Sequence, residues 1–194
     1  INNKLTMKTT MKTLLLLAIV LVGTAFTSNP IERKEIKEAT ITWTGTKILG
    51  SHTGTIDLKS GYLEMDGDEL TGGMFVVDMT SIKNTDLDGG SKGKLEGHLK
   101  SKDFFNVAEF QTATLKIKGA RKKGNVYSVM GDFTIKGITE TVNFDIVMGE
   151  TAARSNVVIN RTKYGIKYGS GDFFDDLGDK AISNEFNLDV AMKF

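Results

Sequence analysis

Cysteine is absent from these 194 residues, proline occurs once and histidine only twice. Without cysteine there is no disulfide, no thiolate nucleophile and no acceptor for the thioether lipid of bacterial lipoproteins. A nucleophile–base pair would have to use His52 or His98, and no serine stands in a motif that marks it as a nucleophile. Also missing are a Gly-x-Ser-x-Gly elbow, a His-Glu-x-x-His zinc motif, a phosphate-binding Gly-Lys-Ser/Thr and a dinucleotide fingerprint. The acids Asp172, Asp175, Asp176 and Asp179 share a Gly-rich stretch, but without the alternating ligands and closing Glu of an EF-hand loop. They read as a solvated loop. No cofactor and no metal is expected, and the chain does not read as an enzyme.

Charge of one sign is missing from the start of the chain. Residues 1–28 contain Lys4, Lys8 and Lys12 and no acid. An apolar run from Leu14 to Val22 follows, and then the small residues Gly23, Thr24 and Ala25. This is the layout of a secretory signal peptide, with an apolar run too short to span a bilayer as a mature helix. Residues ahead of Met7 or Met11 read as upstream additions. Without the three leader lysines, 25 basic residues become 22 against 24 acidic. The mature chain is slightly acidic and has no basic, aromatic-interleaved patch, which excludes nucleic acid as a partner. The expected location is periplasmic or secreted, untethered for want of a lipid-accepting cysteine.

Residues 29–38 read as a flexible, charged N-terminal segment, and 39–194 as one domain with one core. There the dominant period is two. Strands are expected over Thr40–Thr46, His52–Leu58, Tyr62–Met65, Leu70–Thr80, Glu109–Lys118, Val126–Lys136, Thr141–Met148, Asn156–Arg161 and Ser183–Phe194. Turns rich in Gly, Asp and Asn separate several of them, at Asp66-Gly67-Asp68 and Lys122-Lys123-Gly124-Asn125. So many antiparallel strands with one apolar face each must close into a barrel or stack as a sandwich. The apolar faces carry Trp43; Phe75, Val77 and Met79; Leu115; Phe133 and Ile135; Phe144, Ile146 and Met148; Phe186 and Leu188. Such faces either fill a core or line a cavity, because a barrel of about eight strands sits between those outcomes.

One stretch breaks the two-residue rhythm. In Leu95–Leu115, LEGHLKSKDFFNVAEFQTATL, Leu95 and Leu99 recur four apart beside His98, as on a short helix. Asp103-Phe104-Phe105-Asn106 then makes a turn that must tuck at least one ring under the structure. This stretch resembles the signature of the YceI-like family. Leu70-Thr71-Gly72-Gly73-Met74-Phe75 running on to Asp78-Met79-Thr80-Ser81-Ile82 is similar to that family's L-x-G-x-F-x-x-D-M-x-S-I strand. Gly131-Asp132-Phe133-Thr134-Ile135-Lys136-Gly137 resembles its G-x-L-T-I-x-G hairpin, and Ile159-Asn160-Arg161-Thr162-Lys163-Tyr164-Gly165 its I-x-R-x-x-[FY]-G segment. Gln111 departs from the pattern, standing where the family usually has proline.

The resemblance implies an all-β, antiparallel lipocalin-like barrel of about eight strands with one or two short helices. It further implies a hollow axis that holds a long isoprenoid or acyl chain, for transport or storage of isoprenoid quinones or polyprenyl lipids. The apolar residues named above become the tail lining. His52, His98 and Arg161 become head-group candidates, each with a purely structural role as the alternative. Besides the lipid, transient contact with a membrane and pairing of two barrels are the partner modes admitted. A lipid-modifying envelope enzyme and a ligandless, stress-related domain are the other functional readings.

Overall fold

The computed structural model describes residues 30–194, so the leader read over residues 1–28 lies outside the described residues. In chain order the elements are β1 (Glu32–Glu35), β2 (Glu38–Lys47), β3 (Gly50–Asp66), β4 (Glu69–Asn84), α1 (Gly89–Lys100), β5 (Thr112–Lys123), β6 (Val126–Ile135), β7 (Ile138–Met148), β8 (Ala152–Asn160) and β9 (Ile182–Lys193). All neighbouring strands are antiparallel, in the order β1-β3-β2-β9-β8-β7-β6-β5-β4, and β3 also pairs with β4. That last pairing closes β2 to β9 into an eight-stranded barrel, which removes the open edges a flat sheet would leave.

Several boundaries differ from the sequence expectation. The segment read as flexible carries β1, which pairs Glu32 with Met65 and Glu35 with Tyr62. Its side chains are mostly exposed, so hydropathy gave no signal; backbone pairing holds it, with Arg33 stacked 3.4 Å over the Tyr62 ring. β1 and β2 flank the same side of β3, as one strand broken at Ile36 and Lys37, whose N–H groups donate to Gly61 and Lys193 carbonyls at 2.9 and 2.8 Å. The two strands expected over 52–58 and 62–65 are one, β3, because Lys59-Ser60-Gly61 forms a bulge and not a turn. β5 begins at Thr112, after a run of turns, and β8 ends at Asn160, so Arg161 opens a 3-10 turn instead of closing a strand.

The barrel has two unlike ends. One carries the β3–β4, β5–β6 and β7–β8 turns, made of Gly67 and Asp68, Gly124 and Asn125, and Gly149 to Thr151. There Leu63, Met65, Leu70, Ile117, Tyr127, Val129 and Ala153 are all buried. The Tyr127 hydroxyl donates to the Asp68 carbonyl at 2.6 Å and ties this plug to the β3–β4 turn. The other end carries the β2–β3 turn, α1 with residues 101–111, the β6–β7 turn and the loop 161–181. Helix α1 contains Gly89, Gly90, Gly93 and Gly97 and has no buried residue. It is held by Glu96, which accepts from the Asn84 N–H at 2.8 Å, and by Leu99, which packs on the core.

Candidate ligand-binding cavity

Alternation along each strand turns one face inward, and the inward side chains of β2 to β9 enclose a cavity of about 150 Å³. Eleven of the twelve residues expected to line it do so: Trp43, Phe75, Val77, Met79, Leu115, Phe133, Ile135, Phe144, Ile146, Phe186 and Leu188. Met148 does not. It faces the same way as Ile146 but sits at the β7–β8 end, where it packs on the plug with its N–H bonded to the Asn125 carbonyl at 2.8 Å. Leu99, Phe104 and Phe105 close the wall from the helix side, with Phe104 and Phe105 edge-to-face at 5.1 Å. The tucked ring expected of that turn is Phe104, which is buried.

A small volume shared among every barrel strand makes a narrow slot along the axis. Its exposed wall is entirely apolar. An apolar space of this size excludes water and takes hydrocarbon, since no polar group is available to hold a water in place. On β2, Trp43 packs flat against Gly54, where a methyl group would run into both the indole and the Lys83 carbonyl. Glycine at 54 is therefore what lets this ring form wall. The lining residues Ser183 and Glu185 reach the surface, so the slot opens at the helix-bearing end.

That opening has a local cause. Between β2 and β9 the register slips: Gly45 pairs with Phe186 and Lys47 with Ile182, which leaves Ser183 to Glu185 bulged out. The bulge frees carbonyls, and Arg161 takes them. Its Nε donates to Ser183 O at 2.8 Å and Nη2 to Ile182 O at 3.0 Å, while Nη1 donates to Ile166 O at 2.9 Å and Tyr168 O at 2.8 Å. Arg161 borders the cavity but is only 2% exposed, and burial pulls its pKa down. Its nitrogens turn to backbone and away from the slot. These bonds give Arg161 a structural role, the tie that pins loop 161–181 to the bulge.

Neither histidine lines the cavity. His52 bonds Asp86 through Nδ1 at 2.8 Å, at the rim. Burial works against ionisation of Asp86, but hydrogen bonds from His52, the Thr53 N–H and the Asn84 amide outweigh it and hold the carboxyl down at about 2. The pair fastens the β2–β3 hairpin to the end of β4. His98 packs edge-on against Phe104 at 5.6 Å and Tyr168 at 4.4 Å, joining α1 to loop 161–181, and its Nε2 is buried without a partner among the described residues. Both histidines make contacts that join elements of the open end. Sequence reasoning passed over Gly45, Ile182, Ser183 and Glu185 as cavity residues, because a bulge between two strands leaves no periodic trace.

The family model of the YceI-like domain matches residues 33–194. The chain belongs to the YceI-like family. A UPF0312 protein of Yersinia pestis is 34% identical over 64 residues, which is 33% of this chain and 33% of its own length. One of Staphylococcus aureus is 37% identical over 84 residues, covering 38% of this chain and 47% of the relative. The matched stretch thus spans a third to about half of these curated relatives. Among solved structures, this YceI-like barrel is similar to Burkholderia cenocepacia BcnA, with a TM-score of 0.63, 18% identity and 79% and 94% of the two chains covered. It is also similar to a polyisoprenoid binding domain from Saccharophagus degradans implicated in plant cell wall breakdown, at TM-score 0.56, 12% identity and 84% and 97% coverage. At these identities the likeness is one of fold.

Proposed function

We propose that this YceI-like protein holds the tail of a long isoprenoid or acyl lipid inside its barrel, as a carrier or store in the periplasm or outside the cell. The dry, wholly apolar slot that opens at one end carries this reading. Each CH₂ moved from water into such a slot contributes about 0.8 kcal/mol, so one five-carbon unit supplies roughly 3–4 kcal/mol before ordering costs. No polar wall atom selects a head group, so the slot recognises tail width and length, and the head group stays at the rim in water. The printed ligand class of the Saccharophagus domain supports the same reading. Isoprenoid quinones and polyprenyl lipids fit it as well as each other.

Organic extraction of protein purified without detergent, followed by mass spectrometry, tests this. Wild type should release a long-tailed lipid in near-stoichiometric amount. A Leu188→Trp variant, which fills the slot, should release little. An empty wild type that also fails to take up an added detergent-solubilised polyprenol overturns the proposal.

A further inference from the structure

The open end of the barrel wears a crown of apolar side chains that the closed end lacks. Ile48 and Leu49 occupy the tip of the β2–β3 turn, where Gly or Asn would be usual, and Tyr168, Phe173 and Phe174 lie on loop 161–181. Each is 46–68% exposed. These loops are in contact: the Ile48 N–H donates to the Ala181 carbonyl at 3.3 Å. The turns at the opposite end carry Gly, Asp, Asn, Glu and Thr. Nor are the rings exposed because the loop is slack. Arg161 pins it through four hydrogen bonds, Ser170 is fully buried, and the Ser170 carbonyl accepts the N–H groups of both Phe173 and Phe174 at 3.1 Å. A rigid base that holds two half-exposed phenyl rings, Phe173 with the Lys167 ammonium 4.6 Å over its face, implies a surface that receives them.

We propose that this crown docks the open end of the barrel onto the interface of a lipid bilayer. Its purpose rests on the tail-binding reading, because a docked mouth lets a tail pass from membrane to slot without crossing water. Charge agrees with this occupant. At the same end, where its His98 meets Tyr168, α1 presents Lys92, Lys94 and Lys100, none of which forms an ion pair among the described residues. Of the nearby acids, Glu96 is bonded to the Asn84 N–H, Asp86 to His52 and Asp172 to the Asn184 amide. Asp175, Asp176 and Asp179 on the aromatic loop, and Asp88 and Asp103 flanking α1, form no ion pair among the described residues. The aromatic side should therefore bind by insertion and the helix side by attraction to anionic head groups.

Flotation with phosphatidylcholine vesicles, with and without phosphatidylglycerol, tests the docking. Delipidated wild type should float with both, and more with the anionic set at low salt. The double variant Phe173→Ser/Phe174→Ser should lose affinity by about tenfold per ring, with thermal melting and binding of detergent-solubilised polyprenol unchanged. Lys92→Gln/Lys94→Gln should remove only the salt-sensitive preference for phosphatidylglycerol. A control on the outer wall, Val147→Ser/Val158→Ser, should float like wild type. Equal flotation of wild type and the double phenylalanine variant overturns the proposal, as does an equal loss in the wall control. A protein that binds polyprenol but does not float refutes docking and keeps the carrier reading. One that floats through its rings but binds no polyprenol refutes the carrier reading alone.

Discussion

Tyr127 and Phe133 stand six residues apart on the same inward face of β6, and they do opposite work. Tyr127 belongs to the plug at the closed end, where its hydroxyl is bonded to the β3–β4 turn and it stands outside the slot. Phe133 belongs to the half whose side chains border the slot. An inward direction is therefore not the same as a place in the core; depth along the barrel axis decides between them. The closed end is filled by buried side chains that stand outside the slot, and the open end gives part of that packing up in exchange for room. The two ends should respond to the same kind of substitution with different magnitudes, and in one case with a different observable.

The largest contrast lies in truncation. Leu63 is wholly buried in the plug, so Leu63→Ala should cost about 3–5 kcal/mol. Leu188→Ala enlarges a space that already exists and should cost the delipidated protein about 1–2 kcal/mol. Urea denaturation of both measures the difference, and equal losses would break the division into ends. Arg161→Gln comes next. It strands carbonyls and unpins loop 161–181, at a cost of about 2–4 kcal/mol. Hydrogen exchange should quicken over residues 165–182 and stay unchanged across Leu63 to Leu70, with polyprenol affinity of the folded fraction preserved. Loss of affinity alone would return Arg161 to the head group.

Overfilling gives a smaller split. Val129→Phe at the closed end should cost about 1–3 kcal/mol, whereas Leu188→Trp should change stability by less than about 1 kcal/mol and show itself in lost tail retention. The smallest effect is electrostatic and confined to the open rim. In the fold Asp86 titrates at about 2 against an ordinary 3.8, so its ionised network contributes stability above about pH 4. That contribution vanishes as pH falls towards 2. With the pair partly exposed it amounts to about 1 kcal/mol. Melting curves across that window should show the drop in wild type and not in Asp86→Asn.

Period-two alternation made the in–out assignment legible for β2, β4, β5, β6, β7 and β9, and eleven lining residues followed from it. It could not place Met148 beyond the slot, because alternation carries no information about depth. β1 went unread since Glu32, Arg33, Lys34 and Glu35 have no apolar face and are held by pairing with β3. The role of Arg161 depended on the carbonyls of Ile182 and Ser183, freed 21 and 22 residues away by a bulge, which no spacing reveals. Ile48 and Leu49 were visible as apolar residues, but only the closed barrel brings their turn against the loop that carries Phe173 and Phe174.

Both ends of the described chain leave from the same place. Glu32 starts β1 against Met65, next to the β3–β4 turn, and Phe194 finishes with its N–H on the Thr151 carbonyl in the β7–β8 turn at 3.2 Å. A bead, dye or affinity handle attached beside Glu32 or after Phe194 therefore points away from the mouth, and an array of such barrels on a sensor chip would present its openings to the flowing sample.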